Sequence, residues 1–225
     1  MTGRSDGKAA PLHLLHTAAV HIGTCDRLLA ELAPGLEVRH TVRDDLLARA
    51  IADGSLTAPV RQATVDALLA EAAHAGAVLC TCSTLGAAAW AAAAVSPVPV
   101  LRIDEPMARR AVETGPRIGI AACVQTTIAP TRELVETVAA RLDRPVELQT
   151  ILVADAWPLF EAGDHDGYAA RIADALQVAA ELDVIVLAQA SMAPAADRAG
   201  LAIPVLSSPR LGLEHAVAVW QAGAG

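Results

Sequence analysis

Short apolar runs alternate with stretches of helical spacing along the chain, and the alternation is gone through twice. Residues 12–17 predict a strand that ends polar at His16 and Thr17. A helix is expected over 26–32, with Asp26 in its first turn and Pro34-Gly35 as its stop. The alternating stretch 36–40 predicts a second strand near an edge. Asp44-Asp45 opens a helix to about 52, closed by Asp53-Gly54, and Thr57-Ala58-Pro59 opens another. That helix carries Val60, Val65, Leu68, Leu69 and Ala72 as an apolar stripe. Residues 77–82 are apolar enough for a strand buried on both faces. A helix over 86–94 and a strand over 98–103 follow, running into Asp104-Glu105-Pro106.

The second pass begins with a strand over 117–123, a polar turn at Gln125, Thr126 and Thr127, and a helix over 130–141. Glu133 and Glu136 early in that helix and Arg141 late suit its dipole. A strand over 146–153, a helix over 168–182 with Ile172, Leu176 and Ala179 on one face, and a buried strand over 183–187 come next. A strand over 203–206 and a helix over 211–222 close the pattern. The intervals His16 to Cys82 and Cys123 to Gln189 are both 66 residues, and each half ends in Pro-Val-Leu. The prediction is an α/β protein of two pseudo-symmetric, Rossmann-like halves, each a small parallel sheet flanked by helices, with a cleft between them. The first half takes 11–105 and is completed by a C-terminal helix at 210–225, and the second takes 106–209. This arrangement places His16, Cys82, Cys123 and Gln189 around one pocket.

Composition narrows the classes. The chain has 225 residues, 54% of them hydrophobic and only 2% aromatic, so the core must be built from Ala, Leu, Val and Ile. A net charge of −8 without a basic patch argues against nucleic acid as a partner. The longest apolar stretch, 85–95, is too short to cross a bilayer. Residues 1–8 read as a polar leader or tag remnant, not a signal peptide. Cys25, Cys80, Cys82 and Cys123 make no disulfide framework, which fits a reduced cytoplasm, and the lack of ligand spacing argues against zinc. No Gly-x-Gly-x-x-Gly or Gly-Lys-Ser/Thr run is present, which disfavours a nucleotide enzyme.

The chemistry gathers where an apolar strand ends in Cys80-Thr81-Cys82-Ser83-Thr84-Leu85-Gly86. In open α/β sheets ligands bind at such strand ends. A thiol just before a helix is placed for acid, base or nucleophile work, and helix-start amides lower its pKa. Bland readings stand beside this. His16 suits a structural hydrogen bond, Cys123 and Cys25 suit packing, Asp104-Glu105 suits a helix-start cap or an interdomain contact, and residues 164–166 suit a solvated loop. Trp157, Phe160 and Tyr168 suit a hydrophobic plug or a cover for the cleft, and His215 suits either the pocket or solvent.

Thr81-Cys82-Ser83-Thr84, Glu105-Pro106 after a Val-Pro-Val strand, and Cys123-Val124-Gln125-Thr126 at a Gly-Thr-x-x-Thr type turn together resemble the aspartate/glutamate/hydantoin racemase superfamily, over roughly 11–222. The resemblance implies a cofactor-independent enzyme, a dimer, and a small carboxylate-bearing substrate. It also implies two opposed thiols that move a proton at carbon α. Cys82 matches the first thiol. Gln189 stands where the second is expected, and His16-Thr17 replaces the usual Asp or Asn.

The resemblance therefore implies Cys82 as acid/base. His16 or Cys123 would supply a second group, or Cys82 would act alone as the single cysteine does in arylmalonate decarboxylases, or would add to an unsaturated acid as in maleate isomerases. Thr17, Ser83, Thr84, Gln125, Thr126, Thr127, Ala190 and Ser191 are candidate substrate donors. Three functions follow: a racemase or epimerase, a decarboxylase or other lyase, and a catalytically silent binder of small carboxylic acids.

Overall fold

The computed structural model describes residues 10–178 and 181–223. The expected leader at 1–8, Ala179 of the helix expected over 168–182, and positions 224–225 of the helix expected at 210–225 lie outside them. The first half runs β1 (Leu12–His16), α1 (Ile22–Leu32), β2 (Val38–Val42), α2 (Asp44–Ala52), α3 (Ala58–Ala72), β3 (Ala77–Cys80), α4 (Gly86–Ala93), β4 (Val100–Arg102) and α5 (Glu105–Thr114). The second runs β5 (Arg117–Ala122), α6 (Ile128–Arg141), β6 (Glu147–Leu152), α7 (Trp157–Glu161), α8 (His165–Ala175), β7 (Val184–Leu187), α9 (Pro194–Arg198), β8 (Val205–Ser207) and α10 (Ser208–Gly223).

Two four-stranded parallel sheets result, in the orders β2-β1-β3-β4 and β6-β5-β7-β8. The expected fold class is therefore the observed one. The central strands β1, β3 and β7 are buried at every position because helices cover both faces, and such strands are apolar throughout. The edge strands β2 and β6 are mostly half-buried or exposed.

The last helix of each half crosses to the other. α5 packs Met107, Ala108, Ala111 and Val112 with Ile118, Ile120 and Val184 of the second sheet. α10 packs Leu213, Ala216 and Val217 with Leu12, Leu14 and Leu79 of the first. α10 lies so close to β4 that a Cβ at Gly212 would overlap the carbonyl of Ile103. Gly212→Ala is therefore expected to destabilise the protein by about 1–3 kcal/mol, the usual cost of overpacking, as read by urea denaturation. An unchanged midpoint would mean that the helix can slide away freely.

Several elements differ from the sequence reading. α1 starts at Ile22, continuing a 3-10 turn over Ala19–His21, so Asp26 lies beyond the first turn. β2 begins at Val38 because Leu36 is still held in the turn after α1, its amide bonding Ala33 at 3.1 Å. β3 stops at Cys80, two residues early, since the chain leaves the ladder after the amide of Thr81 bonds Leu15. Asp164 caps α8 through the amide of Gly167, so residues 164–166 start a helix instead of forming a loop. That helix ends at Ala175, followed by a 3-10 turn. α7 and α9 were not expected, and α5 starts where Asp104-Glu105 suits a helix-start cap. Each has proline near its start, a signal that the sequence offered.

Candidate functional site

Ladder hydrogen bonds fix which positions of the two halves correspond. The amide of Thr81 bonds Leu15 at 3.0 Å as that of Ala188 bonds Ala121 at 2.9 Å, and Arg43 bonds His16 as Val153 bonds Ala122, both at 2.8 Å. His16 thus corresponds to Ala122, Thr17 to Cys123, and Cys82 to Gln189. The equal 66-residue spacing, which pairs His16 with Cys123, is off by one. The first half has one residue fewer between its central strands, as the pairs Leu15 with Cys80 and Ala121 with Leu187 record.

Cys82 is buried just past β3, with its sulfur against the hydroxyl of Thr17 and the backbone amides of Thr84 and Leu85. Burial pushes its thiol above the ordinary value, with the hydroxyl and the amides pulling the other way. This corrects the expectation of a thiol activated by the helix start: desolvation is the larger effect. Cys80 points into the core, pushed up to about 12, and Cys25 to about 11, both chiefly by burial.

In the second half, the side-chain oxygen of Gln189 accepts from the amides of Cys123 at 2.7 Å and Val124 at 3.2 Å. Cys123 is also raised by burial and meets the hydroxyl of Tyr168, which lies 3.0 Å from that of Ser191.

His16 is 0% exposed at the end of β1. Its Nε2 lies 2.8 Å from Nδ1 of His40, whose Nε2 lies 2.9 Å from Oδ1 of Asp26. Its Nδ1 lies 2.9 Å from the hydroxyl of Thr81. Burial, with His40 and His21 adding, drives His16 down to about 4, while Asp26 acts the other way. A histidine with a folded pKa below its unfolded value of about 6.5 contributes no penalty above that value, and costs stability as pH falls toward the folded value. The loss levels off below it, at about 3 kcal/mol. Urea denaturation from pH 7 down to pH 4 is expected to record this loss, and His16→Gln to lack it. Equal slopes for the two proteins would contradict the assignment.

Two cavities lie between the halves at the strand ends. One, of about 680 Å³, is lined by Thr81, Phe160, Tyr168, Ser191 and Ser207 together with the start of α1. The other, of about 470 Å³, is lined by Ile51, Ser83, Thr84, Arg102, Gln125 and Thr126. The internal symmetry relates them: Ser83 and Thr84 correspond to Ala190 and Ser191, and Arg102 to Ser207.

The residues expected around one pocket are distributed over these two cavities and the strand ends beside them. Ala190 and Ser191 line the larger cavity, and Ser83, Thr84, Gln125 and Thr126 the smaller. His16, Cys82 and Cys123 are buried at the strand ends and Gln189 is half-buried there, and none of the four is among the residues lining either cavity. Thr17 supports Cys82, and Thr127 turns back to donate to the carbonyl of Val124 at 2.8 Å. Phe160, His165 and Tyr168 line the larger cavity, and His215 is exposed.

Residues that the sequence reading did not single out are Asp26 and His40 as partners of His16, Thr81 as the hydroxyl facing a cavity, and the buried pair Arg102 and Asp104. Thr81 stood inside the quoted motif, whereas the rest needed the fold. No cluster able to hold a metal and no helix long and apolar enough to cross a membrane occurs among the described residues.

The family described as Asp/Glu/Hydantoin racemase matches residues 21–216. No curated protein is similar enough in sequence to match. Solved structures share the fold at low identity. The glutamate racemase RacE1 from Bacillus anthracis has a TM-score of 0.70 at 16% identity, over 95% of this chain and 82% of that one. The aspartate racemase of Picrophilus torridus has a TM-score of 0.69 at 14% identity, over 96% and 94%. Unliganded arylmalonate decarboxylase has a TM-score of 0.55 at 17% identity, over 94% and 93%.

Proposed function

Because the chain belongs to the Asp/Glu/hydantoin racemase family, we propose that it moves a proton at the carbon α to a carboxylate or carbonyl, as a racemase or epimerase, with Cys82 as the acid/base. The observation that carries the reading is the place of that thiol: past the end of β3, buried between Thr81, which lines the larger cavity, and Ser83, which lines the smaller, and against the hydroxyl of Thr17 and the amides of Thr84 and Leu85. A raised pKa keeps it protonated at neutral pH, the form that returns a proton to an enediolate once a second group has taken the α proton from the opposite face. The step uses side chains of the protein alone. The substrate is a small carboxylic acid, and the working form is a dimer.

A second reading, decarboxylation, is favoured by Gln189. It is neither acid nor base at neutral pH, and its carbonyl is already occupied by two amides. Loss of CO2 leaves an enediolate that needs one proton from one group, so a single thiol suffices.

Incubation with amino acids, hydantoins and substituted malonates in heavy water, followed by NMR, separates the readings. Deuterium entering at carbon α without loss of mass marks isomerisation, and CO2 release marks decarboxylation. Tight binding of a small acid with neither change would mark a silent binder and sink both.

A further inference from the structure

Four polar side chains stand in file from the surface to the wall of the larger cavity. Asp26 is 57% exposed and His40 16%, whereas His16 is 0% and Thr81 8%. Their links measure 2.9 Å, 2.8 Å and 2.9 Å. Each neutral imidazole carries one N–H, the hydroxyl one O–H, and an ionised carboxylate only accepts. These counts allow two arrangements.

Asp26 accepts in both, so Nε2 of His40 always carries hydrogen. When His40 is neutral, its Nδ1 accepts from Nε2–H of His16, whose Nδ1 then accepts from the hydroxyl of Thr81. The lone pairs of Thr81 are left for the cavity. When His40 gains a second proton, its Nδ1–H donates to His16, whose Nδ1–H donates to Thr81. The hydrogen of Thr81 is then free for the carbonyl of Leu15, 3.2 Å away, or for a ligand.

From this geometry we propose that Thr81 exchanges a proton with a molecule in the larger cavity, and that His16, His40 and Asp26 relay that proton to and from solvent. The relay supplies a second acid/base beside Cys82 and rests on the reading of the cleft as a proton-transfer site. In the donating direction the O–H bond of Thr81 breaks as a C–H bond forms at the carbanionic carbon. Thr81 takes the Nδ1 proton of His16, and His16 takes the Nδ1 proton of His40. His40 is left neutral with its Nε2–H on Asp26. The negative charge of the ligand and the positive charge of His40 disappear together. Abstraction is the reverse.

The titratable groups acting on His16 are His40 from β2, and His21 and Asp26 from the turn and helix of α1. Histidine-labelled protein, with 15N in both ring nitrogens, reports each tautomer by NMR without a substrate. As pH is lowered, His16 is expected to pass from the Nε2–H to the Nδ1–H tautomer while staying uncharged. Asp26→Ala, an exposed change two links away, is expected to displace that switch. A single His16 tautomer throughout, or a switch indifferent to Asp26→Ala, would overturn the relay.

On any compound that takes up deuterium, Thr81→Val is expected to lower kcat by about 100-fold with little change in KM, and Thr81→Ser to restore it. Full activity in Thr81→Val would overturn the role of the hydroxyl. Inertness of the wild type toward every compound would sink the proton-transfer reading of the cleft, while the spectra would still decide the relay.

Discussion

Cys82→Ser is expected to lower deuterium entry at carbon α by about 10²- to 10⁴-fold, the usual contribution of a positioned acid or base. The replacement is nearly isosteric. A serine hydroxyl meets the same surroundings, the hydroxyl of Thr17 and the amides of Thr84 and Leu85, so the fold is expected to persist. What is lost is the thiol, a stronger acid than the serine hydroxyl that replaces it. The direction of the thiol's pKa shift adds a second readout. Burial raises the pKa, so the protonated form persists into the alkaline range. A rate that depends on proton delivery therefore holds across neutral pH and declines only as the thiol ionises. Equal rates for wild type and Cys82→Ser on every responsive compound would remove Cys82 from the mechanism. An acid-side loss of activity unrelated to unfolding would point to the thiolate instead.

Asp104→Ala is expected to cost about 3–5 kcal/mol of stability, the range for stranding one partner of a buried ion pair. Arg102 and Asp104 are both fully buried and joined by two bonds, Nε to Oδ1 at 2.7 Å and Nη2 to Oδ2 at 3.0 Å. The guanidinium also lies 4.4 Å from the ring centre of Trp90, and a Cβ on Gly86 would stand 2.5 Å from it. Trp90 in turn holds Arg141 of the second half at 4.3 Å on its ring and donates to Glu105 at 2.6 Å, so the loss reaches the seam between the halves. Urea denaturation reads the cost. Arg102→Met with Asp104→Leu removes both charges and is expected to recover most of it. A loss below about 1 kcal/mol in Asp104→Ala would mean that water reaches the guanidinium through the smaller cavity.

The central strands were legible because burial on both faces forces them to be apolar, as in Val184–Leu187. The edge strands, with mixed exposure, gave the pattern less to hold, and the bounds of β2 slipped by two residues. The site was legible as far as single positions at strand ends: Cys82 and Gln189 do correspond. Sequence spacing misaligned their neighbours, because one residue more or less in a crossover shifts every count without altering the ladder. The file from Asp26 to Thr81 was not legible. It draws on two strands, a helix and a loop, and exists only because the register of β1 against β2 and β3 brings His16 beside His40 and Thr81. The two cavities were equally hidden, since each lining combines residues from both halves that are far apart in the chain.

The exchange of α5 and α10 makes each lobe the custodian of a piece of its neighbour. A fragment cut before Glu105 keeps β1 to β4 but loses α10, which covers one side of their sheet, and the remaining fragment keeps α5 on its own sheet but leaves the apolar face of α10, with Leu213, Ala216 and Val217, without the strands it packs on. Neither piece is self-sufficient, so calorimetry should record a single cooperative melt instead of two, and the severed parts, mixed after separate preparation, should regain structure only in each other's presence.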